Sequence, residues 1–287
     1  MSQLLLKPFN RVVVVGSGLM GTGIAQVAAQ NGFQVTLVDR TVVDLERAMH
    51  QIRTNLLKLF QSEKINESQM KRTLENIYTT TELKDSKYCD FAIEAVPEKL
   101  EIKQQIFKEL DRLMPESAIL ASNTSSLSIA AIGSVTSRPD KVVGMHFFSP
   151  VPKMKLVEIV RSVNTSDETL QVIREIGERL QKQIIIANDY PGFTVNRVLV
   201  PMLNEAAFLV MEGNEVEEID KGMLLGANHP VGPLRLSDYV GIDVLLFTLE
   251  SLYEGFNDSK YRPCPLLKRM VEAGHLGKKS GKGFYKY

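Results

Sequence analysis

Cysteine is scarce: 287 residues contain two, Cys89 and Cys264, far apart in the chain. That excludes a disulfide framework and a cysteine-built zinc site, and we expect no metal. Net charge is also missing, with 34 basic residues against 34 acidic ones. Nucleic acid and an anionic membrane surface are therefore disfavoured as partners, although a local basic patch still suffices to hold a phosphate. No apolar run approaches the roughly 20 residues that span a bilayer. There is no internal repeat and no low-complexity tract. The opening stretch MSQLLLKPFNRVVVVG shows neither signal-peptide anatomy nor an Arg/Ser-rich transit segment, so we expect a cytoplasmic protein with reduced thiols. Histidine, at four residues, is rare enough to be considered position by position.

What is present is enough apolar residue, 44% of the chain, for two modest cores. From residue 11 to 187, strand and helix patterns alternate, which predicts a doubly wound, mostly parallel α/β sheet of Rossmann type. Val12 to Val15 read as a strand buried on both faces, Met20 to Gln30 as a helix and Gln34 to Val38 as the next strand. From Val42 to about Ile77 the pattern is charged and helical, without strand signal, and predicts a helical hairpin projecting from the sheet. Strands resume at Phe91 to Val96, Ala118 to Ser122, Val142 to Phe147, Leu156 to Val160 and Ile184 to Ala187. Beyond Asp189-Tyr190-Pro191-Gly192 the period is helical to Gly274, with a long helix beginning near Phe193 and a kink expected at Pro201. This predicts a dinucleotide-binding domain over 1–188 and an all-helical domain over 189–287. The second is marginal alone if apolar residues such as Leu245, Phe247 and Leu249 face water, so a homodimer through it is expected.

Gly16-Ser17-Gly18-Leu19-Met20-Gly21 is a G-x-G-x-x-G between a strand and a helix. The first glycine permits the tight turn, the second lets a pyrophosphate approach the backbone, and the third lets helix and strand pack; the helix N-terminus then faces the phosphates. The alternative is a packing turn with no ligand. Asp39, at the end of the following strand and 23 residues after Gly16, favours the dinucleotide. Its carboxylate suits the adenosine ribose hydroxyls and repels a 2′-phosphate, which points to NAD; Arg40 next to it offsets that repulsion and keeps NADP open.

Of the histidines, His50 reads as a solvated residue of the insert, His275 as a helix C-terminal charge, and His229 as a loop residue that is structural or substrate-facing. His146 ends an apolar strand, at the edge where open sheets bind ligands. Glu158 lies on the next strand. The two stand six residues either side of Pro152, so an antiparallel pair turning at Pro152 sets them opposite each other. Imidazole beside carboxylate suits alcohol oxidation, in which a base removes the hydroxyl proton while hydride departs. A buried pair kept for stability is the competing reading. Ser122-Asn123-Thr124-Ser125-Ser126 places short polar side chains at a strand end, where at least one also serves as a helix cap. Asn196, in the first turn of the long helix, is either an amide facing a cleft or an ordinary polar helix position.

The segments GSGLMG, EAVPE, SNTSSL, HFFSPVPKMKLVEIV, PGFTVNR, GPLRLSDYVG and GKKSGKGFYKY together resemble the 3-hydroxyacyl-coenzyme A dehydrogenases, above all their bacterial 3-hydroxybutyryl-CoA members, over essentially the whole chain. The resemblance implies His146 as general acid/base, Glu158 as its carboxylate partner, Ser125 as a hydrogen-bond partner of the substrate oxygen and Asn196 as its stabiliser. It implies Glu98, Lys103 and Asn123 near the nicotinamide half of the cofactor and Asp39 at the adenosine end. It further implies an (S)-3-hydroxyacyl-CoA substrate, a dimer, and a role for the helical insert in holding coenzyme A. Lys58, Lys64, Lys71 and Arg72 are the basic residues available there for its phosphates, Lys58 foremost, with a solvated helical face as the alternative for any one of them. Two rivals remain at this point: a dehydrogenase of a free hydroxy acid or sugar acid, and a dinucleotide-binding protein without turnover.

Overall fold

A computed structural model of the chain describes residues 9–287; the apolar run at its very start lies outside the described residues. The chain divides into two compact units, the first ending at Asp189 and the second running from Tyr190 to Tyr287.

The first unit is built on an eight-stranded sheet in the order β3-β2-β1-β4-β5-β6-β7-β8. The strands are β1 (Arg11–Val15), β2 (Gln34–Val38), β3 (Ile77–Thr80), β4 (Phe91–Glu94), β5 (Ile119–Ser122), β6 (Val142–Phe147), β7 (Leu156–Arg161) and β8 (Gln183–Asn188). From β3 through β6 all neighbours are parallel; β7 runs antiparallel to β6, and β8 parallel to β7. The central strands are apolar on both sides because helices cover both faces, so Val12, Val13 and Val14 are all fully buried. Order reverses at β1, and the chain leaves β1, β4, β5 and β6 at one common edge, where ligands of such sheets bind.

Helix α1 (Leu19–Gln30) follows β1 directly. The expected hairpin is there as α2 (Val42–Gln61) and α3 (Glu67–Glu75), whose start carries a capping box between Asn66 and Gln69. Two points differ from the sequence expectation. The hairpin does not simply project: Asn55 donates to Gln26 of α1, Asn76 donates to the carbonyl of Ala29, and only the tip between Leu56 and Thr73 lacks a buried residue. The chain after α3 also forms β3, an edge strand of four residues with no fully buried side chain, too short to set up an apolar alternation. Helices α4 (Leu100–Leu113), α5 (Ile129–Gly133) and α6 (Asp167–Arg179) complete the unit.

The second unit comprises α7 (Val195–Met211), which runs on through Pro201, α8 (Val216–Gly226), α9 (Pro233–Val240), α10 (Ile242–Phe256) and α11 (Pro265–Glu272). Leu245 and Leu249 do not face water as supposed. With Leu203, Ile242, Leu252 and Leu267 they form the unit's own core, because they recur on the face of α10 turned to α7 and α11. Phe247, on the other face, is exposed, as are Val198, Leu225 and Val244. Among the described residues no helix is long and apolar enough to cross a membrane.

Two buried aspartates close this helical unit. Asp220 accepts the N–H groups of Leu234 and Arg235 at the start of α9 and the hydroxyl of Tyr285. Asp238, at 1% exposure, accepts the N–H groups of Phe284 and Tyr285 and the hydroxyl of Tyr287. Burial, and then the Asp238 carboxylate, push the Tyr287 hydroxyl up to about 12. The C-terminal GKGFYKY is therefore held by these carboxylates together with isolated antiparallel bridges of Lys282 to Gly277 and Lys286. Asp238→Ala leaves three donors without an acceptor and is expected to lower unfolding stability by about 3 kcal/mol or more. Urea unfolding followed by far-UV circular dichroism measures it, and a loss under about 1 kcal/mol would contradict the clamp.

Candidate active site

The glycine turn leaves β1 with Gly16 at φ +100°, a region open to glycine. A Cβ on Gly16 would lie 2.6 Å from the carbonyl oxygen of Ala95, and one on Gly21 only 1.8 Å from that of Gly16. Packing therefore demands glycine at both positions. Gly18 is different: φ is ordinary and a Cβ there would meet no atom within 4 Å. Gly18 caps α1 without a side-chain hydrogen bond, and the first turn of α1 has no acidic residue, so its N–H groups and dipole meet no carboxylate of the helix itself. Leu19 is exposed and Met20 half-buried beside it. Asp39 has one more task than its sequence position suggested. Its Oδ2 accepts the N–H and hydroxyl of Ser17, at 2.6 and 2.7 Å, and Oδ1 accepts the N–H of Arg40. The carboxylate thus fixes the glycine turn as well as standing at its edge, while the Arg40 side chain is exposed.

On the same edge, His146 and Glu158 are direct partners across the β6/β7 ladder, and His146 Nδ1 lies 2.7 Å from Glu158 Oε2. Glu158 is fully buried and His146 is 6% exposed, with Phe148 against its ring. The turn joining the two strands is held from both sides. Lys182 donates to the carbonyls of Val151 and Met154, both at 2.7 Å, and Gly23 of α1 lies against Val151 so closely that a Cβ there would be 2.8 Å from the valine's own.

Between these two parts lie the ends of β4 and β5. Asn123 receives the N–H of Phe147 on its side-chain oxygen, which ties the end of β5 to that of β6 beside His146. Glu98 gathers the next loop on Oε1, accepting the Thr124 hydroxyl at 2.6 Å and the Ser125 N–H at 2.9 Å, with the Ser125 hydroxyl and the Ser126 N–H at 3.3 Å. Burial alone pushes the Glu98 carboxyl up, but the charge of Lys103 and these donors outweigh it and hold it below the ordinary range.

Lys103 is enclosed within the same site. Its side chain is 1% exposed and its ammonium is directed at Glu94, Glu98 and the carbonyl of Val96. It thereby anchors Glu98 Oε2 behind the loop that Oε1 gathers. From the sequence alone Glu94 has no assigned role, and Asp189 none beyond marking the start of the linker. Asp189 accepts the N–H groups of Ile129 and Ala130 at the start of α5 and the hydroxyl of Ser128. Lys58 lies exposed in the last turn of α2, and Asn196 lies half-buried in the first turn of α7, in the helical unit.

Comparison with known proteins decides the family. The sequence model of the 3-hydroxyacyl-CoA dehydrogenase NAD binding domain matches residues 11–190, and that of the same family's C-terminal domain matches 192–287. The chain belongs to the 3-hydroxyacyl-CoA dehydrogenase family. It is 45% identical to the 3-hydroxybutyryl-CoA dehydrogenase of Bradyrhizobium diazoefficiens over 279 residues, covering 97% of this chain and 95% of that one. It is also 45% identical to the enzyme of that name from Clostridioides difficile over 278 residues, covering 96% and 99%. A crystal structure of an (S)-3-hydroxybutyryl-CoA dehydrogenase from Ralstonia eutropha is similar with a TM-score of 0.94 at 44% identity, covering 97% and 99%. The chain is thus an NAD-dependent oxidoreductase by family.

The residues present fit NAD. The open space over Gly18 and the unopposed N-terminus of α1 form a cradle that a side chain at position 18 would fill, and the Asp39 carboxylate bounds its far end. Two alanine substitutions separate packing glycines from ligand glycines. Gly18→Ala is expected to weaken NADH binding about tenfold or more, since its methyl takes the place of a close backbone approach, with a stability change within about 1 kcal/mol. Gly23→Ala is expected to cost about 1–3 kcal/mol of stability by overpacking against Val151, despite alanine's better helix propensity. Fluorescence titration and thermal unfolding read the two effects; a stabilised Gly23→Ala protein would disprove the tight contact.

Proposed function

We propose that the protein interconverts an (S)-3-hydroxyacyl-CoA, short in its acyl chain and best represented by 3-hydroxybutyryl-CoA, with the corresponding 3-ketoacyl-CoA. The observation that carries this reading is the 2.7 Å contact of His146 with a fully buried Glu158, at the sheet edge shared with the glycine turn. NAD, when bound, supplies the hydride acceptor or donor.

In oxidation, His146 removes the hydroxyl proton; in reduction, the protonated ring returns it to the ketone oxygen. Glu158 holds Nδ1, so exchange with substrate runs through the opposite ring nitrogen, and its charge stabilises the imidazolium formed on oxidation. Because the carboxylate is fixed before substrate arrives, no reorganisation is required at the moment of reaction. Ser125 orients the substrate oxygen from the loop that Glu98 gathers. Asn196 is assigned to the same oxygen as an amide donor, Asn123 and Glu98 to the nicotinamide half of the cofactor, and Lys58 to the phosphates of coenzyme A. The exposed Val198, Leu225, Val244 and Phe247 of the helical unit support a homodimer through that unit. We place the activity in the cytoplasm.

The test is the fall in absorbance of NADH mixed with acetoacetyl-CoA. Turnover is expected with NADH in preference to NADPH, and with the thioester but not with free acetoacetate. His146→Ala is expected to reduce kcat by a factor of roughly 10²–10⁴ with the protein still folded. Near-native activity of that variant would end the assignment of His146, and turnover of the free acid alone would redirect the substrate class.

A further inference from the structure

The end of β4 carries an ion cluster in which Glu94 and Lys103 have no part in the reaction outlined above. Glu94 is fully buried at the last position of the strand and Lys103 is fully buried in the first turn of α4. Glu94 Oε1 accepts the N–H of Val96 at 2.7 Å and the Lys103 ammonium at 2.8 Å, and Oε2 accepts the hydroxyl of Ser122 at 2.6 Å. Lys103 reaches onward to Glu98 Oε2 at 3.2 Å. The cluster contains two carboxylates and one ammonium.

Its position gives it two outputs. On one side it fixes the turn from Glu94 to Val96, and Ala95 in that turn is the residue against which Gly16 of the glycine turn is packed. On the other it fixes Glu98, whose free end collects Thr124, Ser125 and Ser126. An apolar pair of equal volume would serve stability as well or better, since enclosing charges costs desolvation. Stability alone therefore gives no reason for an ionic cluster here; fixing two loops in register does.

We propose that Glu94 and Lys103 are positioning residues that set the cofactor turn and the Ser125 loop relative to each other, acting through the 94–96 turn and through Glu98. The inference rests on the proposed dehydrogenase reading for the role of Ser125. From behind these two loops, Glu94 and Lys103 control the placement of a hydroxyl and of a backbone turn.

The experiment compares wild type with Glu94→Gln and with the double variant Glu94→Met/Lys103→Met, which replaces the enclosed charges by apolar groups. The double variant is expected to unfold within a few degrees of wild type. Its kcat for acetoacetyl-CoA reduction is expected to fall about 10- to 100-fold, the loss that a misplacement of about 1 Å brings. The acid limb of its pH profile is expected to move to higher pH: burial still pushes the Glu98 carboxyl up, and with Lys103 gone its largest opposing charge is missing, so Glu98 protonates and releases the loop at a pH where the native protein keeps it. A purely structural role would not move that limb. A folded double variant with native kcat and a native acid limb overturns the proposal. Should it not fold, Glu94→Gln decides, with a kcat loss of about tenfold expected and native kcat overturning. Absence of turnover by the wild type instead defeats the dehydrogenase reading, and the NADH affinity of the variants then judges the clamp: weakened binding supports it, and unchanged binding overturns it.

Discussion

Segments that enter a strand or a helix, or that lie outside both, carry N–H groups with no ladder or preceding turn to receive them, and each one buried without an acceptor costs about 1–3 kcal/mol. In this protein carboxylates take them, often two consecutive N–H groups at a time. Asp90 receives Asn10 and Arg11, Glu98 receives Ser125 and Ser126, Asp189 receives Ile129 and Ala130, Asp220 receives Leu234 and Arg235, and Asp238 receives Phe284 and Tyr285. A charged acceptor makes a stronger hydrogen bond than a neutral one. Irregular segments thereby acquire the definition that strands obtain from their ladders. In the candidate site Glu98 does this for the Ser125 loop, and Asp39 does it for the N–H groups of Ser17 and Arg40.

The second requirement is met by a change of strand direction. In a wholly parallel sheet, side chains at the ligand edge all arrive from the same end of their strands. Here β7 runs back beside β6, so a residue from the start of one strand and a residue from the end of the other come level, and His146 faces Glu158 in register. The tight turn between them needs external support, which Lys182 and the bare backbone of Gly23 provide. Helix α1, which follows the glycine turn, thus also bears on the connection between His146 and Glu158.

Features governed by local pattern were legible in the sequence. The β-branched runs marked the central strands, the glycines marked the turn, and the symmetry of His146 and Glu158 about Pro152 gave their register before any coordinates. What was not legible depended on partners distant in sequence. Nothing near Asp189 announces that it caps α5, 60 residues earlier, and nothing near Asp238 announces that it receives a segment 46 residues later. Nothing near Lys103 announces that its ammonium is enclosed against Glu94 of β4. The edge strand β3 was missed because four residues without a buried face carry no period. Leu245 and Leu249 were misplaced for the opposite reason: an apolar stripe shows that a face is covered, but not whether the same unit covers it.

The distribution of ion pairs separates solubility from placement. On the helical insert, pairs such as Arg47–Asp44 and Lys71–Glu75 are exposed and screened, and contribute little to stability. Among the described residues, the pairs with a wholly enclosed carboxylate are Glu94–Lys103 and His146–Glu158, and both stand at the ligand edge of adjoining parts of the sheet. Enclosure makes such pairs expensive to form and expensive to break singly. That second property is the useful one here, because a group whose removal from its partner is costly does not wander. The same enclosure that offers little net stability holds the imidazole and the loop donors in one arrangement before any ligand enters.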